Sequence, residues 1–193
     1  MEIIIRNDTV EISGYVNAVE RDSKPLWDRF GKFIERIRKG AFARAIKQNG
    51  DIHVMLNHER DLGSTAKGNL ELSEDSIGLK ARAVIDDKEV IEDAKAGRLV
   101  GWSFGFSDID VEEGEYNGIR QRIVKDLDLR EVSILNDKKS PAYEGTLINA
   151  RAEEKPVFIG DFLEMEINIR DEQKEEITFD NSKYFEMLEE IKA

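Results

Sequence analysis

The chain has 193 residues, 40% of them hydrophobic and 36% charged, with a formal net charge of −12 and no cysteine, which suits one ordinary domain with room for an appendage. The acidity argues against a protein that grips a phosphate backbone, since that takes clustered Lys and Arg. The missing cysteines remove disulfides, thiolate nucleophiles and Cys-based zinc sites.

The first residues carry an early acid and an apolar run of only three, Ile3-Ile4-Ile5, so no signal peptide is expected. No run reaches membrane-spanning length, and the cytoplasm of the producing cell is the default compartment. Residues 2–6 and 9–19 read as strands around an Asn7-Asp8 turn, the second alternating Val10, Ile12, Gly14 and Val16 against Glu11, Ser13 and Tyr15. Residues 20–32 read as a charged loop and 33–37 as a short apolar element. Phe42 and Ile46, four apart in an Ala-rich stretch, predict a helix ended by Asn49-Gly50.

Residues 52–58 read as a strand with Ile52, Val54, Leu56 and His58 on one face and His53, Met55 and Asn57 on the other. A loop at Gly63 leads to strands at 69–72 and 77–85. A helix over 88–96 stops at Gly97. The strand Leu99–Phe106 alternates most clearly of all. Val100, Trp102, Phe104 and Phe106 take one face, and Leu99, Gly101, Ser103 and Gly105 the other. An acidic turn around Glu112–Glu115 separates it from strands at 118–125 and 126–135.

Seven or eight strands with two short helices predict a mainly β fold, a closed or partly closed β-barrel of about seven strands with helices outside. Residues 1–150 form this domain. Residues 151–193 carry a net charge of −7 and read as an acidic, partly ordered tail with a terminal helix from Ser182.

Three features carry chemistry. Ser103 is a hydroxyl between Gly101 and Gly105, two positions without side chains where a substrate backbone can approach closely. The string Gly101-x-Ser103-x-Gly105 matches the α/β-hydrolase elbow, but that triad runs Ser, acid, His. Here both histidines, His53 and His58, precede the serine, so that reading is rejected. Their five-residue spacing suits no shared metal, and no cofactor is expected. His58 sits at a core-to-solvent rim, where it is either a general base or a partly buried structural histidine. Glu131 falls in a row with Leu127, Leu129, Ser133 and Leu135. A carboxylate there pairs with an Arg or holds an imidazole in its working tautomer, and Asp126 and Asp128 lie nearby.

Gly14-Tyr15, Lys39-Gly40-Ala41-Phe42, Leu56-Asn57-His58-Glu59, Ser76-Ile77-Gly78-Leu79, Gly101-Trp102-Ser103-Phe104-Gly105-Phe106 and Leu129-Arg130-Glu131-Val132-Ser133 occur in that order. Over about residues 10–145 this resembles the prohead (capsid-maturation) serine protease family of tailed phages. The resemblance implies a barrel similar to the herpesvirus maturation proteases. It implies a serine endopeptidase that cleaves scaffold, or the scaffold-like part of the major capsid protein, inside the procapsid in the host cytoplasm, with self-cleavage. By position it implies Ser103 as nucleophile, His58 as general base and Glu131 as the third member, with substrate lying beside Gly101 and Gly105. It also implies self-association, with the dimer of herpesvirus-type relatives as the expected form, while the composition predicts neither nucleic acid nor membrane as a partner. The rival reading is a non-catalytic scaffold or capsid-associated protein on the same fold.

Overall fold

A computed structural model describes residues 1–138, 158–159 and 168–171. In chain order the elements are β1 (Glu2–Ile5), β2 (Val10–Ala18), β3 (Leu26–Asp28), β4 (Gly31–Ile37), α1 (Ala41–Gln48), β5 (His53–Leu56) and β6 (Arg60–Ser64). They continue as β7 (Leu70–Glu74), β8 (Gly78–Ile85), α2 (Lys88–Lys95), β9 (Leu99–Tyr116), β10 (Ile119–Asn136), β11 (Phe158–Ile159) and β12 (Asn168–Asp171). Among the described residues the fold is mainly β with two helices, as the alternating segments require.

The strands form two mixed sheets. One runs β12-β1-β2-β8-β7; in the other β11, β9, β10, β4 and β3 lie side by side, with β5 and β6 attached through β10. The expected closure into one barrel has no supporting ladder among the described residues. Both sheets bury one apolar cluster that includes Ile12, Val16, Leu79 and Ala81 from the first and Trp102, Phe104, Phe106, Val132 and Ile134 from the second.

Strand β10 is the spine of the second sheet. One of its edges pairs antiparallel with β9 over nearly the whole length. The other pairs in parallel with β4 at residues 120–124 and then with β5 at residues 131–134. The two strands expected at 118–125 and 126–135 are thus one.

The acidic stretch 112–115 is not a turn. It continues β9, because Glu113 and Glu115 pair in register with Arg122 and Arg120, and Glu112 meets the Lys125 ammonium at 2.8 Å. The turn lies instead at Asn117-Gly118, whose positive φ values of 52° and 76° fit a tight hairpin. Two expected loops also hold strands, β3 within 20–32 and β6 at Gly63.

Both helices are docked by carboxylates. Glu74 of β7 accepts the Gly40 and Ala43 backbone N–H groups at 2.6 and 2.7 Å, which caps α1 from a neighbouring strand. Asp87 caps α2 by accepting the Val90 N–H at 3.1 Å. No helix of the described residues is long and apolar enough to cross a membrane.

Of the expected acidic tail, β11 adds antiparallel to β9 and β12 adds in parallel to β1. The terminal helix expected from Ser182 lies outside the described residues.

Phe104 is fully buried and packs edge-on against Phe42 at 5.3 Å between ring centroids. Phe104→Ala is expected to cost about 3–5 kcal/mol, read as a lowered urea midpoint with an unchanged m-value.

Candidate active site

The bulges in β9 and β10 decide which side chains meet. Leu129 pairs with Phe106, yet Glu131 pairs with Gly105, so Arg130 is an extra residue with no opposite number. The sequence reading put Glu131 and Ser133 in one row with Leu127 and Leu129. The structure corrects this, since the extra residue inverts the strand and sends Val132 and Ile134 into the core with Leu129. Glu131, Ser133 and Leu135 project to the opposite side of the strand.

A second shift lies between the pairs Leu135–Gly101 and Asn136–Leu99. It leaves Val100 unpaired and half-buried, whereas Leu99 is buried. The core row expected to start at Val100 therefore starts at Trp102.

Across the three central strands the registers build two parallel rows. Met55, Ser133 and Ser103 form one, and His53, Glu131 and Gly105 the next. Directly opposed residues of a ladder project to the same side. Ser103, only 2% exposed, therefore projects to the same side as Ser133, and Glu131 lies over Gly105. A Cβ at Gly105 would stand 2.5 Å from the Glu131 Oε1. The glycine is what gives the carboxylate its space.

His58 reaches this face by a turn rather than along a strand. β5 ends at Leu56, and Asn57 and His58 have φ of 56° and 62°. The Glu59 N–H closes the turn onto the Leu56 carbonyl at 3.0 Å. The reversal breaks the expected alternation, so His58 does not share the core face of Val54 and Leu56. Its Nδ1 instead lies 2.6 Å from the Glu131 Oε1, with the two side chains only 18% and 16% exposed. The Ser133 hydroxyl donates to the Glu131 Oε2 at 2.6 Å, accepts the His58 backbone N–H at 3.1 Å and lies 3.2 Å from Nδ1.

Beneath the turn lies a buried polar chain. The Asn57 side chain exchanges hydrogen bonds with Asn136, whose amide donates to Asp93 at 2.6 Å. Asp93, on α2, accepts two further bonds from the Arg98 guanidinium at 2.7 and 2.9 Å. A buried carboxylate is tolerable only with such partners.

The sequence reading missed this support altogether, along with the part taken by Ser133. The signal for the Asn pair is that Asn57 and Asn136 each close an apolar strand run, after Leu56 and after Leu135. His53 stands apart in chemistry, half exposed between the Asp61 and Asp51 carboxylates at 3.4 and 3.9 Å. The backbone N–H of Gly63 holds the Asp61 carboxyl below its ordinary range.

His58, Glu131 and Ser103 thus share one face, Gly105 lies under Glu131, and Gly101 sits beside the Val100 bulge opposite Leu135. No group of His, Asp or Glu among the described residues is disposed to hold a metal ion. An imidazole with a carboxylate on Nδ1 is equipped to take a proton at Nε2.

The profile of the caudovirus prohead serine protease family matches residues 2–157, and the chain belongs to that family. Neither a curated protein nor a solved structure matches it. The likeness to herpesvirus proteases accordingly rests on the resemblance alone.

Gly105→Ala is expected to leave the sheet formed but to push the Glu131 carboxylate off His58. Its overpacking cost of about 1–3 kcal/mol is read by thermal denaturation. Asn136→Ala strips a donor from Asp93 and the acceptor from the Asn57 side-chain amide, while the backbone N–H at 136 still reaches Asn57. A loss of about 1–3 kcal/mol is expected in urea melts.

Proposed function

We propose that this member of the prohead serine protease family is an endopeptidase with Ser103 as nucleophile, His58 as general base and Glu131 as the residue that orients His58. Family membership already makes it a serine peptidase of the phage prohead, with a capsid-related protein as substrate. The observation that carries the residue assignment is the 2.6 Å contact between His58 Nδ1 and Glu131 on the side to which Ser103 projects.

The chemistry follows from that arrangement. The Ser103 Oγ attacks the scissile carbonyl carbon while its proton passes to His58 Nε2. Glu131 accepts the Nδ1–H throughout, fixing the tautomer and stabilising the imidazolium. The tetrahedral intermediate collapses, the C–N bond breaks, and His58 returns the proton to the leaving amine. Water, deprotonated by the same imidazole, then hydrolyses the acyl-enzyme.

Substrate is scaffold, or the scaffold-like region of the major capsid protein, cleaved inside the procapsid in the host cytoplasm. The outer edge of β9 supports extended-peptide binding, because strand addition offers main-chain hydrogen bonds beside a nucleophile on the same strand. This chain already adds a strand there. Phe158 and Ile159 pair antiparallel with Phe106 and Gly105, two residues from Ser103. That placement favours self-processing near residue 160, and the site requires no nucleic acid or membrane.

Intact mass followed over time, for wild type beside Ser103→Ala and His58→Ala, tests the reading. Wild type is expected to shorten at a discrete point after Ile159 while both variants stay full length. On a capsid-derived peptide each variant is expected to lose about 10³-fold or more in kcat. Folded wild type that spares itself and the capsid partner inside assembled proheads would instead establish the non-catalytic scaffold reading.

A further inference from the structure

Ser133 is completely buried in the second sheet, with Met55 on one side and Ser103 on the other. No polar atom needs to be there for packing, since a buried hydroxyl without partners is a net cost. Its partners are specific. A hydroxyl has one proton to give and two lone pairs. The proton goes to the Glu131 Oε2 at 2.6 Å, and one lone pair takes the His58 backbone N–H at 3.1 Å.

The Nδ1–H of His58 then has two oxygens in range, Glu131 at 2.6 Å and Ser133 at 3.2 Å. The nearer, charged oxygen takes it. The bonds close a circuit from the His58 main chain through Ser133 and the Glu131 carboxylate back to the His58 ring. The imidazole is thereby fixed relative to its own backbone, at a residue whose φ of +62° is costly and must be held by its surroundings.

We propose that Ser133 is a positioning residue whose hydroxyl locks the Glu131 carboxylate and the His58 turn into one unit, so that Nδ1 alone carries the imidazole proton and Nε2 is left for Ser103. This rests on the endopeptidase reading for its effect on turnover, but not for its effect on the imidazole. Ser133 is not the nucleophile, because its proton is committed to Glu131.

The chain has only two histidines, so ring-nitrogen NMR reads His58 directly once His53→Gln removes the other signal. Spectra are recorded on the full chain in a Ser103→Ala background, and kinetics with Ser103 restored. With Ser133 present, His58 is expected to show a protonated Nδ1 with a slowly exchanging, downfield proton and a bare Nε2. Ser133→Ala is expected to broaden that proton away and populate both tautomers. On peptide substrate its kcat is expected to fall about 10–100-fold, the worth of one hydrogen bond to a charged group, with KM within about twofold.

Ser133→Thr and Ser133→Val separate the hydroxyl from packing, since the two side chains have nearly the same shape. Thr is expected to keep the spectrum and most of kcat, and Val to lose both. Equal behaviour of Thr and Val would overturn the proposal, as would a wild-type imidazole spectrum in Ser133→Ala. A phosphonate probe that labels Ser133 rather than Ser103 would overturn it too. An intact Nδ1 signature in a chain that neither cleaves nor takes the probe would count against the protease reading alone, and leave the positioning role standing.

Discussion

A single extra residue in β10, Arg130, determines which side of the central sheet bears chemistry. Without it the alternation that buries Leu129 beside Phe106 would also bury Glu131, and Val132 and Ile134 would face outward. A one-residue change of phase exchanges the two faces of a strand entirely. The bulge lets one continuous strand supply core on one side of residue 130 and a carboxylate and hydroxyl on the other. The opposite strand answers with the smallest residue there is, Gly105, where the carboxylate lies. Bulge and glycine are two halves of one device.

The support beneath the site follows from the same need. An imidazole on a turn is held less firmly than one within a strand, and here both turn residues occupy the left-handed region. Two sets of bonds hold the turn. From the side, Ser133 takes the His58 N–H. From below, Asn57 is tied through Asn136 to Asp93 and Arg98. The lower set reaches α2, so that helix is coupled to the site without contributing a group to it.

Much of this was legible in the residues, and what was not had physical causes. The Ser103 strand was readable because four aromatic or branched residues alternate with small ones. Trp102, Phe104 and Phe106 are indeed fully buried. His58 and Glu131 were picked out as ionisable groups at the margins of apolar rows, and they meet. The faces assigned to both were nonetheless inverted. Strict alternation has no means of counting a bulge, and an Asn-His turn of positive φ does not announce itself. The acidic run at 112–115 resembles a turn because its composition does not reveal its cross-strand partners, although Asn117-Gly118 stands beside it as the stronger signal. Closure of a barrel depends on which edges meet, and no local pattern specifies that.

The ladder that unites the site also governs the order in which it is made. Ser103 and Ser133 lie on the two arms of one hairpin, which can zip from its Asn117-Gly118 turn using neighbours in sequence. His58 comes from 73 residues before Glu131 and joins through the parallel β5–β10 pairing. Closing such a long loop precedes any reward from its contacts, so pairing of this kind is slow. Contact order thus divides the site into a local pair, the serine and the carboxylate on one hairpin, and a distant imidazole. Of the three groups the imidazole alone depends for its place on that long-range ladder, so the topology ties its seating to closure of the domain.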